Sequence, residues 1–475
     1  MDIPATRGIP TSVVEKTAIR KIAIRIVPFV ALMFFINFLD RTAISFAAPN
    51  GMEADLGLTA AQFGFASGVF FIGYLVLEVP SNLALHKFGA RVWLARIMIT
   101  WGIVSLLFTW VQNYPQLVGL RFLLGIAEAG FFPGAILFLS TWVPARHRGK
   151  MLALFYLAQP LTSVIGSPLA GWLMTHEGLL GGLAGWRFMF LCVSIPAIVV
   201  GILCLFVLKD KPSQAKWLDE DEKLWLEGAL ATENRQKEGA SHGKGGLRAA
   251  FGSGRVWMLA AVYFGFIYGL YALSFFLPTI IDGFQEQFGT TFDLFQKGLI
   301  TAIPYVPAAV VLYFWSRDAF RRGVRVWHIA VPALVGGLSI PVALYMNSPA
   351  ATVAVIAITA CSIFAALPNF WTVPTQFLTG AAAAAGVALI NTIGNLGGFA
   401  APYITGAVSE WTGGYQVPMF IVGFFMVLSS VLMFVLGRNA KRIEPRGTDE
   451  PRGTDEPRGT DAAAPSTATT QESRA

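Results

Sequence analysis

Four charged residues stand where a charge is costly. Asp40 and Arg41 lie in Phe-Ile-Asn-Phe-Leu-Asp-Arg-Thr-Ala-Ile-Ser-Phe, and Arg121 and Glu128 lie in Arg-Phe-Leu-Leu-Gly-Ile-Ala-Glu-Ala-Gly-Phe-Phe-Pro-Gly. A charge at the centre of such an apolar run costs about 2.5–3.5 kcal/mol on insertion scales, so it needs a reason to stay. Arg is the natural ligand for a carboxylate, because it is always charged and presents a bidentate fork. Asp and Glu cannot hold an anion, but a carboxyl in apolar surroundings takes up a proton more readily than one in water. Two acids and two arginines in this setting predict coupled binding of protons, at Asp40 and Glu128, and of an anion, at Arg41 and Arg121. Two blander readings compete: Asp40 and Arg41 as a self-neutralising pair in a wet vestibule, and Arg121 and Glu128 as part of an ion-pair network tying two helices together.

Helical geometry constrains this set. Asp40 comes twelve residues after Pro28, which is about 18 Å along a helix and past the middle of a bilayer core. Adjacent residues point about 100° apart, so Asp40 and Arg41 cannot face one neighbour together. Arg121 and Glu128 are seven residues apart, which on an unbroken helix puts both on one face about 10 Å apart. Gly125, Gly130 and Gly134 keep that helix slim for close packing. Weaker candidates for hydroxyl, amide and ring contacts to an anion are Tyr74, Gln159, Tyr268, Tyr271, Trp371, Asn391 and Asn395, the two asparagines one turn apart. Each is individually as well explained by packing or an interhelical hydrogen bond. Glu78, just before Pro80, reads better as a snorkelling or gate residue than as a substrate ligand.

The elements that must position these residues are membrane helices. The 475 residues are 55% hydrophobic and 13% charged, against about 25% charged in soluble chains. Twelve apolar runs approach the roughly 20 residues a span needs: 26–48, 61–84, 92–111, 115–141, 151–175, 186–208, 256–281, 295–315, 326–346, 351–378, 386–408 and 416–437. Open sheets cannot cross lipid, so the expected class is an all-α membrane protein. The net charge of +7 reflects Lys and Arg in alternate short loops, not affinity for nucleic acid. Lys87 and Arg91, Arg146 to Lys150, and Arg317, Arg321, Arg322 and Arg325 mark the cytoplasmic side, which places both termini there. Gly380 to Gly386 is the one loop on that side without such charges. Cys192, Cys204 and Cys361 lie in apolar runs and imply no disulfide framework. The first 25 residues are polar and the first apolar run is long enough to stay in the membrane, so no cleaved signal is expected. No His/Asp metal cluster or Ser/His arrangement argues for an enzyme.

The expected organisation is a cytoplasmic segment 1–25, six spans over 26–208, a linker over 209–255 with a short amphipathic helix, six spans over 256–437, and a tail over 438–475 with three Glu-Pro-Arg-Gly-Thr-Asp repeats. The two sets of six are related: Gly89-Ala-Arg91-Val-Trp93 and Gly323-Val-Arg325-Val-Trp327 are 234 residues apart, as are Pro168 and Pro402. Duplications of this kind place a substrate site at midplane between the halves.

With these features the sequence resembles the major facilitator superfamily. That family's loop motif, Gly-x-x-x-Asp-Arg-x-Gly-x-Arg, reads here Asn82-Leu-Ala-Leu-His86-Lys87-Phe-Gly89-Ala-Arg91. Within the superfamily the chain is similar to the anion:cation symporters, on Phe-Leu-Asp40-Arg41, Val-Pro-Ser-Asn82, Gly-Ile-Ala-Glu128-Ala-Gly-Phe-Phe-Pro133 and Trp217-Leu-Asp-Glu-Asp-Glu-Lys223. The resemblance implies proton sites at Asp40 and Glu128, anion contacts or proton relays at Arg41 and Arg121, and site-lining roles for Tyr74, Gln159 and the two asparagines. It implies a gating role for Asn82, Lys87, Gly89 and Arg91 and their counterparts Arg321, Gly323 and Arg325. Phe38 stands where some members carry Tyr. The expected activity is uptake of an organic carboxylate, such as an aromatic acid, tartrate or sugar acid, with protons as the coupling ion and no cofactor. The protein is expected to act as a monomer in the bacterial inner membrane. An exporter of metabolites or drugs and a nutrient sensor are the alternatives.

Overall fold

The computed structural model describes residues 11–240, 251–374 and 380–437. These are helical, and eleven of the described helices are long and apolar enough to cross a membrane. In chain order the spans are Val27–Ala47, Ala60–Phe88, Ala90–Leu107, Tyr114–Trp142, Ala145–Met174, Gly185–Val207, Gly254–Asp282, Leu294–Arg322, Trp327–Ala343, Pro349–Phe370, Gly380–Thr412 and Gln416–Gly437. The ninth falls short of the other eleven: Trp327–Ala343 has 17 residues, not the 21 expected over 326–346, and contains Pro332 and Pro341. Its packing against the tenth and twelfth spans gives it the position of a span all the same.

Helix pairing repeats along the chain. The third span packs on the sixth and the second on the fourth; the ninth packs on the twelfth and the eighth on the tenth. The first packs on the fifth as the seventh does on the eleventh. The two sets meet through the second and eleventh spans and through the fifth and eighth. Repetition extends to the backbone. Gly89 and Gly323, at corresponding loop positions, have φ of +87° and +77°, and Pro168 and Pro402 each sit inside a helix.

Three expectations about elements are corrected, and one helix is added to them. The alanine-rich run at 380–386 is helix, not loop, in keeping with alanine's helix propensity. The tenth span ends at Phe370 rather than 378. The polar N-terminal segment contains a helix, Thr11–Arg25, and the linker helix, Glu220–Ala240, is 21 residues long rather than short. These two helices pack on each other. Lys21 Nζ lies 3.0 Å from Asp219 and 2.8 Å from Glu222. Glu15 pairs with Arg146 and His147, and Arg148 reaches Glu233 at 2.9 Å. Opposite charges thus fasten both helices to the first turn of the fifth span, where Arg146 to Arg148 are helical rather than in a loop. The repetitive tail, 438–475, and linker residues 241–250 lie outside the described residues.

Candidate functional site

The fourth span does not run unbroken. Its first helix, Tyr114–Glu128, stops at Glu128 and a second, Phe131–Trp142, begins after Gly130. Gly130 has φ of +83°, a left-handed conformation that side chains other than glycine's resist. Gly130 is therefore the hinge of a broken helix rather than only a slim packing position. Arg121 and Glu128 both lie on the first of these helices, and the break falls just after Glu128. Helix ends leave unsatisfied carbonyls, and here Ser81 Oγ donates to the Ala129 carbonyl at 2.6 Å.

At this break Glu128 is fully buried and meets the first span. Its Oε1 accepts from Arg41 Nε at 3.1 Å, and also from Arg41 Nη2 and Asn37 Nδ2. Arg41 Nη1 donates to the Tyr271 hydroxyl at 2.8 Å, so one guanidinium joins the first, fourth and seventh spans. Phe70 and Tyr74 rings lie 4.8 and 5.6 Å from it. Asp40 turns the other way, 1% exposed, and accepts from Ser105 Oγ on the third span. Neighbouring residues on one helix thus serve different partners, as their angular separation requires. Asp40 Oδ2 and Glu128 Oε2 have no hydrogen-bond partner among the described residues.

Between the two sets of spans lies a cavity of about 70 Å³. Of the expected anion contacts, Arg41, Tyr74, Gln159, Tyr271, Trp371, Asn391 and Asn395 line it. Arg121 and Tyr268 do not. Arg121 is buried with Nε and Nη2 donating to the Ala66 and Ser67 carbonyls of the second span at 3.3 and 3.1 Å. The Phe70 ring stands 5.3 Å from its guanidinium, on the way to Arg41. Tyr268 packs on Phe425, ring centroids 4.7 Å apart. Helical phase explains the difference: Tyr263, Ile267, Leu270 and Tyr271 all line the cavity, whereas position 268 is rotated about 140° from 263.

Sequence reasoning missed several lining residues. Tyr263 and Tyr156 reach the cavity, as do Phe34, Phe71 and Phe132, beside Phe38, which the resemblance had singled out. Tyr263 stacks on Phe370 at 5.2 Å and meets Trp371 edge-on at 4.7 Å. Its four-residue spacings to Ile267 and Tyr271 were the signal available. Asn37 and Ser105, the polar partners of the acids, carried no such signal, since a lone amide or hydroxyl in a span is unremarkable.

At the cytoplasmic loops, the expected gating residues sit among local contacts. Gly89 lies beside Asp210, where a Cβ would come within 3.1 Å of the carboxylate. Asp210 accepts from the Arg91 amide at 2.9 Å, and the Arg91 guanidinium is 3.9 Å away. Asp210 follows the sixth span, and position 86, where the motif carries Asp, is His86 here. Asn82 donates back to the Glu78 carbonyl at 2.9 Å, and Lys87 lies 5.4 Å from the Phe88 ring. In the second copy the Arg325 amide donates to His328 Nδ1 at 2.9 Å next to Gly323, and Arg321 is exposed.

Known proteins with these features are transporters. A protein of Agrobacterium vitis with the provisional name of tartrate transporter is 44% identical over 93% of this chain and 96% of its own length. A quinolone resistance transporter of Acinetobacter baumannii is 36% identical over 90% of this chain and 96% of its own. Among solved structures, a bacterial homologue of the human lysosomal transporter Spinster, inward-facing and unoccupied, superposes with a TM-score of 0.67 at 18% identity, over 88% of this chain and 97% of that one. The family model described as Major Facilitator Superfamily matches residues 30–402. This multi-pass membrane protein is therefore a transporter and not an enzyme, and it belongs to the Major Facilitator Superfamily.

Proposed function

We propose that this transporter imports an organic carboxylate together with protons, by alternating access across a bacterial inner membrane with both termini in the cytoplasm. The observation that carries this reading is Arg41: a guanidinium lining an otherwise uncharged cavity, held by Glu128 and Tyr271. A substrate carboxylate and Glu128 are alternative anionic partners for that one cation. A proton on Glu128 weakens its hold and frees Arg41 for the bidentate pairing a carboxylate favours. Release of substrate and of the proton restores the pair. Asp40, whose Oδ2 has no partner among the described residues, is a second proton carrier, on the same helix as Arg41. Arg41 then reads the anion while Arg121 braces the second span, with no substrate role.

The name of the Agrobacterium relative supports a small carboxylate as cargo. The name of the Acinetobacter relative favours a second reading, export of a drug-like molecule, and direction of transport separates the two. In proteoliposomes holding the purified protein, an inward proton gradient is expected to drive accumulation of a labelled carboxylate such as tartrate, and a protonophore to abolish it. Efflux of a quinolone from loaded proteoliposomes under the same inward proton gradient, with no carboxylate uptake, would establish the exporter instead.

A further inference from the structure

Glu78 is a buried acid that the coupling scheme leaves unused. It lies one turn below Tyr74 on the second span, is 8% exposed, and its Oε1 accepts from Asn391 Nδ2 of the eleventh span at 2.6 Å. Asn391 itself lines the cavity, together with Asn395 one turn on.

An ionised carboxylate can only accept hydrogen bonds, whereas an amide has a donating and an accepting end. While Glu78 is ionised it settles which way the Asn391 amide turns: the nitrogen faces the acid, and the carbonyl oxygen is the other arm. No hydrogen bond to that oxygen is present among the described residues. We infer that Glu78 is a specificity-determining residue, which fixes Asn391 as a hydrogen-bond acceptor in the cavity and so selects carboxylates that carry a hydroxyl over their deoxy counterparts. The inference rests on the carboxylate reading above and narrows it to hydroxy acids. Arg41 reads the charge common to both classes; the oriented amide reads the hydroxyl that only one has. A deoxy substrate would leave the buried amide oxygen unsatisfied, which is the source of discrimination. Glu78 acts through Asn391 and is a positioning residue.

Substituting Glu78→Gln removes the constraint at almost constant shape, because Gln can offer its own N–H to Asn391 and let the amide turn over. The experiment compares kcat/KM in proteoliposomes for two matched pairs, tartrate against succinate and 4-hydroxyphenylacetate against phenylacetate. The wild type is expected to prefer the hydroxylated member of at least one pair by about tenfold or more, the size of one buried hydrogen bond. Glu78→Gln is expected to bring that ratio towards one while uptake of the deoxy member persists. Asn391→Ala, which deletes the acceptor, reads the same ratio if Glu78→Gln does not fold, and is expected to collapse it likewise. A purely structural role for Glu78 would lower both members together and leave the ratio unchanged, which would overturn the inference. A wild type that carries carboxylates with no hydroxyl preference overturns it too, leaving the carboxylate reading standing. A wild type that neither carries nor binds any of the four overturns both.

Discussion

The two sets of six spans face one cavity with different chemistry. The first set supplies its charge: Arg41 at the wall, with Glu128 and Asp40 behind it. Rings and amides come from both sets, Tyr74, Tyr156 and Gln159 from the first and Tyr263, Tyr271, Trp371, Asn391 and Asn395 from the second, but the second adds no charge to the lining. The helix pairing is the same in both, so the asymmetry lies in side chains and not in the fold. Duplication provided two equivalent scaffolds, and only one took on mid-span charges. The expected division of labour is that the first set binds protons and the anionic group, while the second reads the rest of the substrate. The Arg41–Tyr271 and Glu78–Asn391 hydrogen bonds join the two sets at the cavity.

Substitutions on either side can break that division. Arg41→Ala is expected to have the largest effect, a loss of about a hundredfold or more in uptake of every carboxylate, measured as initial rates in proteoliposomes. Arg41→Lys should recover only part, because the ammonium cannot reproduce the fork. Next, Arg121→Ala is expected to reduce thermal stability of the purified protein, by about 3 kcal/mol for two lost charged hydrogen bonds, with KM changed less than about twofold. A large rise in KM would instead restore Arg121 as a substrate ligand. Tyr271→Phe, on the other set, should raise KM severalfold at unchanged proton coupling. The smallest effect is expected from Phe38→Tyr, which adds a hydroxyl at the cavity wall 6.4 Å, ring to ring, from Tyr271: a shift of about two- to threefold in KM for hydroxylated substrates.

How far this arrangement was legible in the sequence differs between the same two regions. Asp40, Arg41 and Glu128 announced themselves, because a charge in an apolar run has few explanations. That signal could not separate Arg121, equally charged, whose partners are backbone carbonyls of another helix and leave no trace in sequence. In the second set, tyrosines and asparagines are common in spans for packing reasons, so residue type alone does not separate Tyr263, which lines the cavity, from Tyr268, which does not. Phase on the seventh helix does separate them. The break at Gly130 hid inside Ala-Gly-Phe-Phe-Pro, since a glycine before a proline reads equally as close packing. The docked N-terminal helix was missed because its apolar face is narrow: Val14, Ala18 and Ile22, each four residues apart, are its buried positions. The order of spans, by contrast, needed only hydrophobic length, and the ninth was overdrawn because apolar residues continue past the end of its helix.

The central claim is that Glu128 and the substrate compete for Arg41 under control of a proton. The direct test is proton movement accompanying substrate entry, read with a pH-sensitive dye trapped inside proteoliposomes. Wild-type protein is expected to acidify the lumen when carboxylate is added outside, and Glu128→Gln to exchange labelled for unlabelled carboxylate without moving protons or concentrating substrate. Acidification and accumulation by Glu128→Gln at the wild-type level would contradict the account.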